Sequence, residues 1–134
     1  LEYAVNLGGV KIVVVLGHTD CGVVGASVEA LEKEDHDELQ VDGSNLRPIV
    51  NEILEGASHD RFQSMGELNE GLKASRLDEL THSSVERTVL AIVERSALIR
   101  EAVEAGELLV IGAVYDLQGG AVQFLNQEMQ QDVA

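Results

Sequence analysis

Apolar and polar positions along the chain follow two periods, and the places where one gives way to the other mark its elements. Leu1 to Leu7 has helical spacing and ends at Gly8-Gly9, the stop expected where the next residue must turn left-handed. Ile12-Val13-Val14-Val15-Leu16 is continuously apolar and β-branched, which predicts a central parallel strand covered on both faces. Gly22 to Lys33 returns to helical spacing, with Val24, Val28 and Leu31 on one face. Leu46, Ile49, Val50, Ile53 and Leu54 predict a second helix over 46–56, capped by Ser44 or Asn45 with Pro48 in its first turn. Residues 57–81 show only weak periodicity at Met65, Leu68 and Leu72 and read as loop with a short helix.

Ser83-Ser84-Val85-Glu86 matches a capping box and predicts the start of the longest helix. Val85, Val89, Ile92, Val93, Ile99 and Val103 form its apolar stripe, and it runs to about Ala105 before Gly106 stops it. Leu108 to Val114 is a second buried strand, followed by a glycine turn at Gly119-Gly120 and a returning strand over Val122 to Leu125. The order predicts an α/β fold, a mainly parallel central sheet flanked by helices with an antiparallel edge hairpin, in a single domain spanning 1–134.

Composition narrows the function classes. At 134 residues and 45% hydrophobic, the chain is large enough to bury a core. A net charge of −15, from 24 acidic against 9 basic residues, argues against nucleic acid and anionic membrane surfaces as partners. The apolar runs Val10 to Leu16 and Leu108 to Val114 fall far short of the roughly 20 residues that span a bilayer. The start of the chain shows no basic region leading into an apolar one, so no secretory leader is read there and a cytoplasmic location is expected. With two Phe, two Tyr and no Trp, the core must be built from Val, Leu, Ile and Ala, which leaves wide apolar faces able to pair between copies.

The candidate chemistry lies in Gly17-His18-Thr19-Asp20-Cys21-Gly22, directly after the first strand. An imidazole and a thiol three residues apart, beyond the carboxyl end of a strand, are half of a zinc site in the place where α/β sheets bind ligands. Cys21 is the only cysteine, so an internal disulfide is excluded. Asp20 lies between the two donors and reads as an acceptor that hydrogen-bonds a metal ligand or as an exposed turn residue. His36, His59 and His82 have no partner at ligand spacing and read as surface histidines, and the acidic run Glu34 to Glu38 as a solvated loop.

Leu1 to Val5, Val10 to Gly22, the helix over Val85 to Leu98 and Val110 to Asp116 with its glycine turn and Val122 to Leu125 together resemble the β-class carbonic anhydrases, in the family's order and over nearly all of the chain. The resemblance implies a zinc enzyme interconverting CO2 and bicarbonate, with His18 and Cys21 as two of three protein ligands. It places Gly22 close to the metal and Tyr115 in a hairpin that lines the cleft, packing on a half-buried strand being the default role for Tyr115, and implies a homodimer or a multiple of dimers. The family's third ligand belongs to a Cys-x-Asp motif followed by a small residue and Arg, which these 134 residues do not contain, so the catalytic Asp-Arg pair has no counterpart here. Since the chain opens in mid-helix on Leu1, it is expected to be N-terminally incomplete. The alternative function is a non-catalytic carbonic-anhydrase-like module used for assembly or regulation; another small cumulated substrate, carbonyl sulfide or carbon disulfide, would keep the fold.

Overall fold

A computed structural model describes residues 1–32, 45–55 and 68–125. In chain order they form α1 (Glu2–Asn6), β1 (Ile12–His18), α2 (Gly22–Glu32), α3 (Arg47–Glu55), α4 (Glu70–Arg95), α5 (Ala97–Glu104), β2 (Leu109–Tyr115) and β3 (Val122–Phe124). The predictions for His36, His59, Met65 and the run Glu34 to Glu38 lie outside the described residues. None of the described helices is long and apolar enough to cross a membrane.

The chain divides into two compact units, one of residues 1–17 and 85–134, the other of 18–84. The first holds the sheet, in the order β1-β2-β3. Leu109 N, opening β2, donates to Lys11 O just before β1, so the two strands are joined at their beginnings and run the same way. The β2–β3 pair is antiparallel, with Tyr115 opposite Val122 and Ala113 opposite Phe124. Asp116 organises the turn between them: its carboxylate accepts from Gln118 N at 2.9 Å and Gly119 N at 3.0 Å, and Gly120 takes the left-handed φ of +72°. Ile99, Leu108 and Val110 form the core of this unit, with Val13, Val89, Ile92 and Val103 packed against them.

The mixed parallel and antiparallel sheet agrees with the predicted α/β class, but the central strand is β2. Val110 and Ala113 are fully buried, so β2 is covered on both faces. β1 is an edge strand and alternates: Val13 reaches the core, whereas Ile12, Val14 and Leu16 are 59%, 45% and 56% exposed. That second face is about half open among the described residues.

Two helix boundaries also differ. Helix α4 begins at Glu70, where Asn69 Oδ1 accepts from Leu72 N at 3.0 Å, so Ser83 and Ser84 are interior and the capping box is not used. The helix continues upstream because Leu77 and Leu80 face the core of the second unit, while the hydroxyl of Thr81 is satisfied by Leu77 O at 3.0 Å. His82, expected as a surface histidine, is accordingly a half-buried residue inside the helix. At the other end the helix breaks at Ser96, whose extended backbone (φ −131°, ψ 112°) caps α5 through its side chain. The predicted stop at Gly106 is present, with φ +69° and the paired bonds Gly106 N to Val103 O and Glu107 N to Ala102 O. In α3, Val50 and Ile53 are buried as their spacing predicts, but Ile49 is half exposed and the first turn starts from Leu46, whose carbonyl accepts from Val50 N.

The second unit packs α2, α3 and the first half of α4 around Val24, Val28, Ile53 and Leu80. Burying side chains of this size contributes roughly 1.5–3 kcal/mol each. That core fixes where the first turn of α2 lies.

Candidate metal site

His18 is the last residue of β1 and Cys21 immediately precedes α2, so the two candidate donors flank a turn of only Thr19 and Asp20. Cys21 occupies the N-cap position: its carbonyl accepts from Gly25 N at 3.0 Å. It is a free, half-buried thiol packed against the edge of the Val24, Val28, Ile53 and Leu80 core, so the docking of α2 holds its backbone. A position at a helix N-terminus also suits a ligand that binds as an anion.

The imidazole of His18 is exposed, and its Nδ1 lies 2.9 Å from Thr19 O. A carbonyl only accepts, so Nδ1 is the donor, and of the two neutral tautomers this contact selects the one whose Nε2 carries the lone pair. A backbone carbonyl holding the far nitrogen of a metal-binding histidine is a recurrent way of fixing the tautomer. Asp20 is exposed with φ +55°, among the described residues the one non-glycine in the left-handed region. That backbone lets the chain leave the extended strand and enter the helix within two residues.

Gly22 opens α2, and a Cβ built there meets nothing within 4 Å in this chain. Tyr115, half-buried, ends β2 in the unit that holds the sheet, whereas His18 to Gly22 are consecutive residues of the other unit. Among the described residues no three of His, Cys, Asp and Glu gather as a metal-binding group. A cavity of about 530 Å3 lined by Lys11, Val103, Gly106, Glu107, Leu108 and Leu109 lies at the amino ends of β1 and β2, away from this junction. Sequence spacing located both donors, but it carries no signal for the Thr19 carbonyl, whose part is a backbone one. The left-handed turn had a weak signal, since Asp is among the few side chains tolerated there.

An imidazole nitrogen and a thiolate are both donors that zinc accepts, and the orientation of His18 fits that use; in number they are half of a tetrahedral set.

Comparison with known proteins bears on this junction. The family model described as carbonic anhydrase matches residues 1–122. Carbonic anhydrase 2 of Mycobacterium tuberculosis (strain CDC 1551 / Oshkosh) is 32% identical over 120 residues, covering 90% of this chain and 51% of the relative. The crystal structure of the β-carbonic anhydrase CafA of Aspergillus fumigatus superposes with a TM-score of 0.69 at 24% identity, over 98% of this chain and 58% of that one. One of the two tetrameric β-carbonic anhydrases of Sordaria macrospora gives 0.69 at 22% identity, over 93% and 57%. These two structural likenesses establish the fold. The chain spans about half the length of the curated relatives it matches.

Proposed function

The chain belongs to the β-class carbonic anhydrase family, and from that premise we propose that it supplies His18 and Cys21 as two zinc ligands of an enzyme that interconverts CO2 and bicarbonate. The observation that carries this reading is the engagement of His18 Nδ1 by Thr19 O, which leaves Nε2 available at the carboxyl end of β1, three residues before the thiol. A bound zinc ion supplies the Lewis acidity that makes water a nucleophile near neutral pH. The chain's own residues hold and orient: Thr19 O fixes the imidazole and the packed first turn of α2 fixes Cys21. The third ligand and the Asp-Arg pair come, on this reading, from the family's Cys-x-Asp motif outside these residues. Homo-oligomerisation is part of the proposal, supported by the exposed Ile12, Val14 and Leu16 and by the tetrameric state of the Sordaria macrospora enzymes.

A second reading, a carbonic-anhydrase-like module without catalysis, takes its support from the donor count, because among the described residues two donors stand where zinc takes three or four. One measurement separates the two: zinc per chain and CO2 hydration on the same samples of the full protein, wild type beside Cys21→Ser. Near-stoichiometric zinc and activity that both vanish in the variant support the enzyme. A well-folded wild type without zinc refutes it and leaves the module.

A further inference from the structure

We infer that Asp20 is a positioning residue for the metal donors and acts through its left-handed backbone, not through its carboxylate; this rests on the assignment of His18 and Cys21 as zinc ligands. Three observations converge on it. Asp20 has φ +55°, a conformation that L side chains rarely adopt. The turn it makes is the whole connection between the two donors apart from Thr19, and both ends are tied, His18 through β1 and its bond to Thr19 O, Cys21 through the first helical bond of α2. The Asp20 side chain is exposed, and as the residue of the turn with positive φ it needs only to tolerate that conformation.

The consequence is thermodynamic. Without metal, a residue that disfavours the left-handed region lets the turn relax, and the fraction of molecules with both donors in place falls. Apparent metal affinity falls by the same fraction, since only the competent conformer binds. Glycine adopts positive φ freely and asparagine is the next most tolerant residue, so both keep the competent fraction while removing the negative charge. Alanine and valine keep a Cβ without that tolerance, and the left-handed penalty for such residues corresponds to a loss of about fivefold to thirtyfold.

The experiment is competitive titration of the full protein with Co2+, following the thiolate charge-transfer band that reports Cys21 ligation, for wild type, Asp20→Gly, Asp20→Asn, Asp20→Ala and Asp20→Val. The expected order of affinity is Gly and Asn within about threefold of Asp, then Ala, then Val. Circular dichroism checks folding, and Asp20→Ala carries the comparison if Asp20→Val does not fold. Equal losses in Gly, Asn and Ala overturn the inference in favour of a carboxylate role. Equal affinity in all five proteins, with the charge-transfer band present, overturns it while leaving the zinc reading intact. A folded wild type that shows no band overturns the zinc reading and this inference together.

Discussion

Replacing Ser96 by alanine tests how the fold ends one helix and begins the next. The Ser96 side chain, 9% exposed, does two things at once: its Oγ accepts from Ile99 N at 3.3 Å, closing the first turn of α5, and donates to Glu2 Oε1 at 2.5 Å, tying α1 to that turn. Loss of an N-cap side chain costs about 1 kcal/mol. The bond to Glu2 adds less than about 1 kcal/mol, because Glu2 is exposed and its carboxylate regains water when the serine is gone. Ser96→Ala should therefore lose about 1–2 kcal/mol, seen as a lower guanidinium midpoint at unchanged slope and roughly 3–8 °C in Tm for a chain of this size. Alanine is the strongest helix former, yet it cannot rescue stability by fusing α4 to α5. Fusion would replace the extended backbone of Ser96 (φ −131°, ψ 112°) by helix and so redirect α5, which now packs Ile99, 2% exposed, with Leu108 and Val110. Glu2→Gln keeps an acceptor for Ser96 and should cost less than half as much. A midpoint for Ser96→Ala equal to wild type, or a Glu2→Gln loss as large as that of Ser96→Ala, refutes this account of the break.

Two further perturbations probe packing and helix initiation. Gly112→Ala places a Cβ 2.8 Å from Val85 Cγ1, on a buried strand against a buried valine, so it should cost about 1–3 kcal/mol by overpacking, and adding Val85→Ala should recover part of it in thermal unfolding. Asn69→Ala should lose about 1 kcal/mol of stability while Ser83→Ala stays within about 0.5 kcal/mol of wild type, and denaturant midpoints in the reverse order would restore the cap at Ser83.

The features that sequence made legible are those written in local period and turn chemistry. The hairpin and the stop at Gly106 rest on residues whose neighbours in sequence are also their partners, and the buried face of α3 is marked by its own helical period. The misplaced start of α4 has the opposite origin. Ser83-Ser84-Val85-Glu86 satisfies the local rule for a cap, but the upstream turns are held in the helix by Leu77 and Leu80 against Val24, Val28 and Ile53, contacts with residues far away in the chain. The break at Ser96 left no trace in the period: Val85, Ile92 and Ile99 are seven apart, the spacing of one continuous helix, so the stripe reads straight through the residue at which the chain turns. For β1 the composition is that of a strand covered twice, and a single chain of the described residues covers it once. Period and residue type report what a strand is suited to pack against, not whether that partner lies within the same stretch of sequence.

The candidate site shows the same division at the scale of single atoms. His18 and Cys21 were legible because imidazole and thiol at this spacing, after a β-branched run, have few other uses. The geometry that makes them useful lies in the backbone: a carbonyl at Thr19 that fixes which nitrogen of His18 is free, a left-handed Asp20, and an N-cap carbonyl at Cys21. A strand ends extended and a helix begins right-handed, and in the two-residue connection between the donors it is the left-handed Asp20 that changes the direction of the chain. Aspartate supplies that change more readily than most side chains, which gives its identity here a physical reason independent of its charge. Donor identity is therefore set by side chains and donor placement by the turn, and a variant that preserves His18 and Cys21 while changing the handedness of residue 20 separates the two.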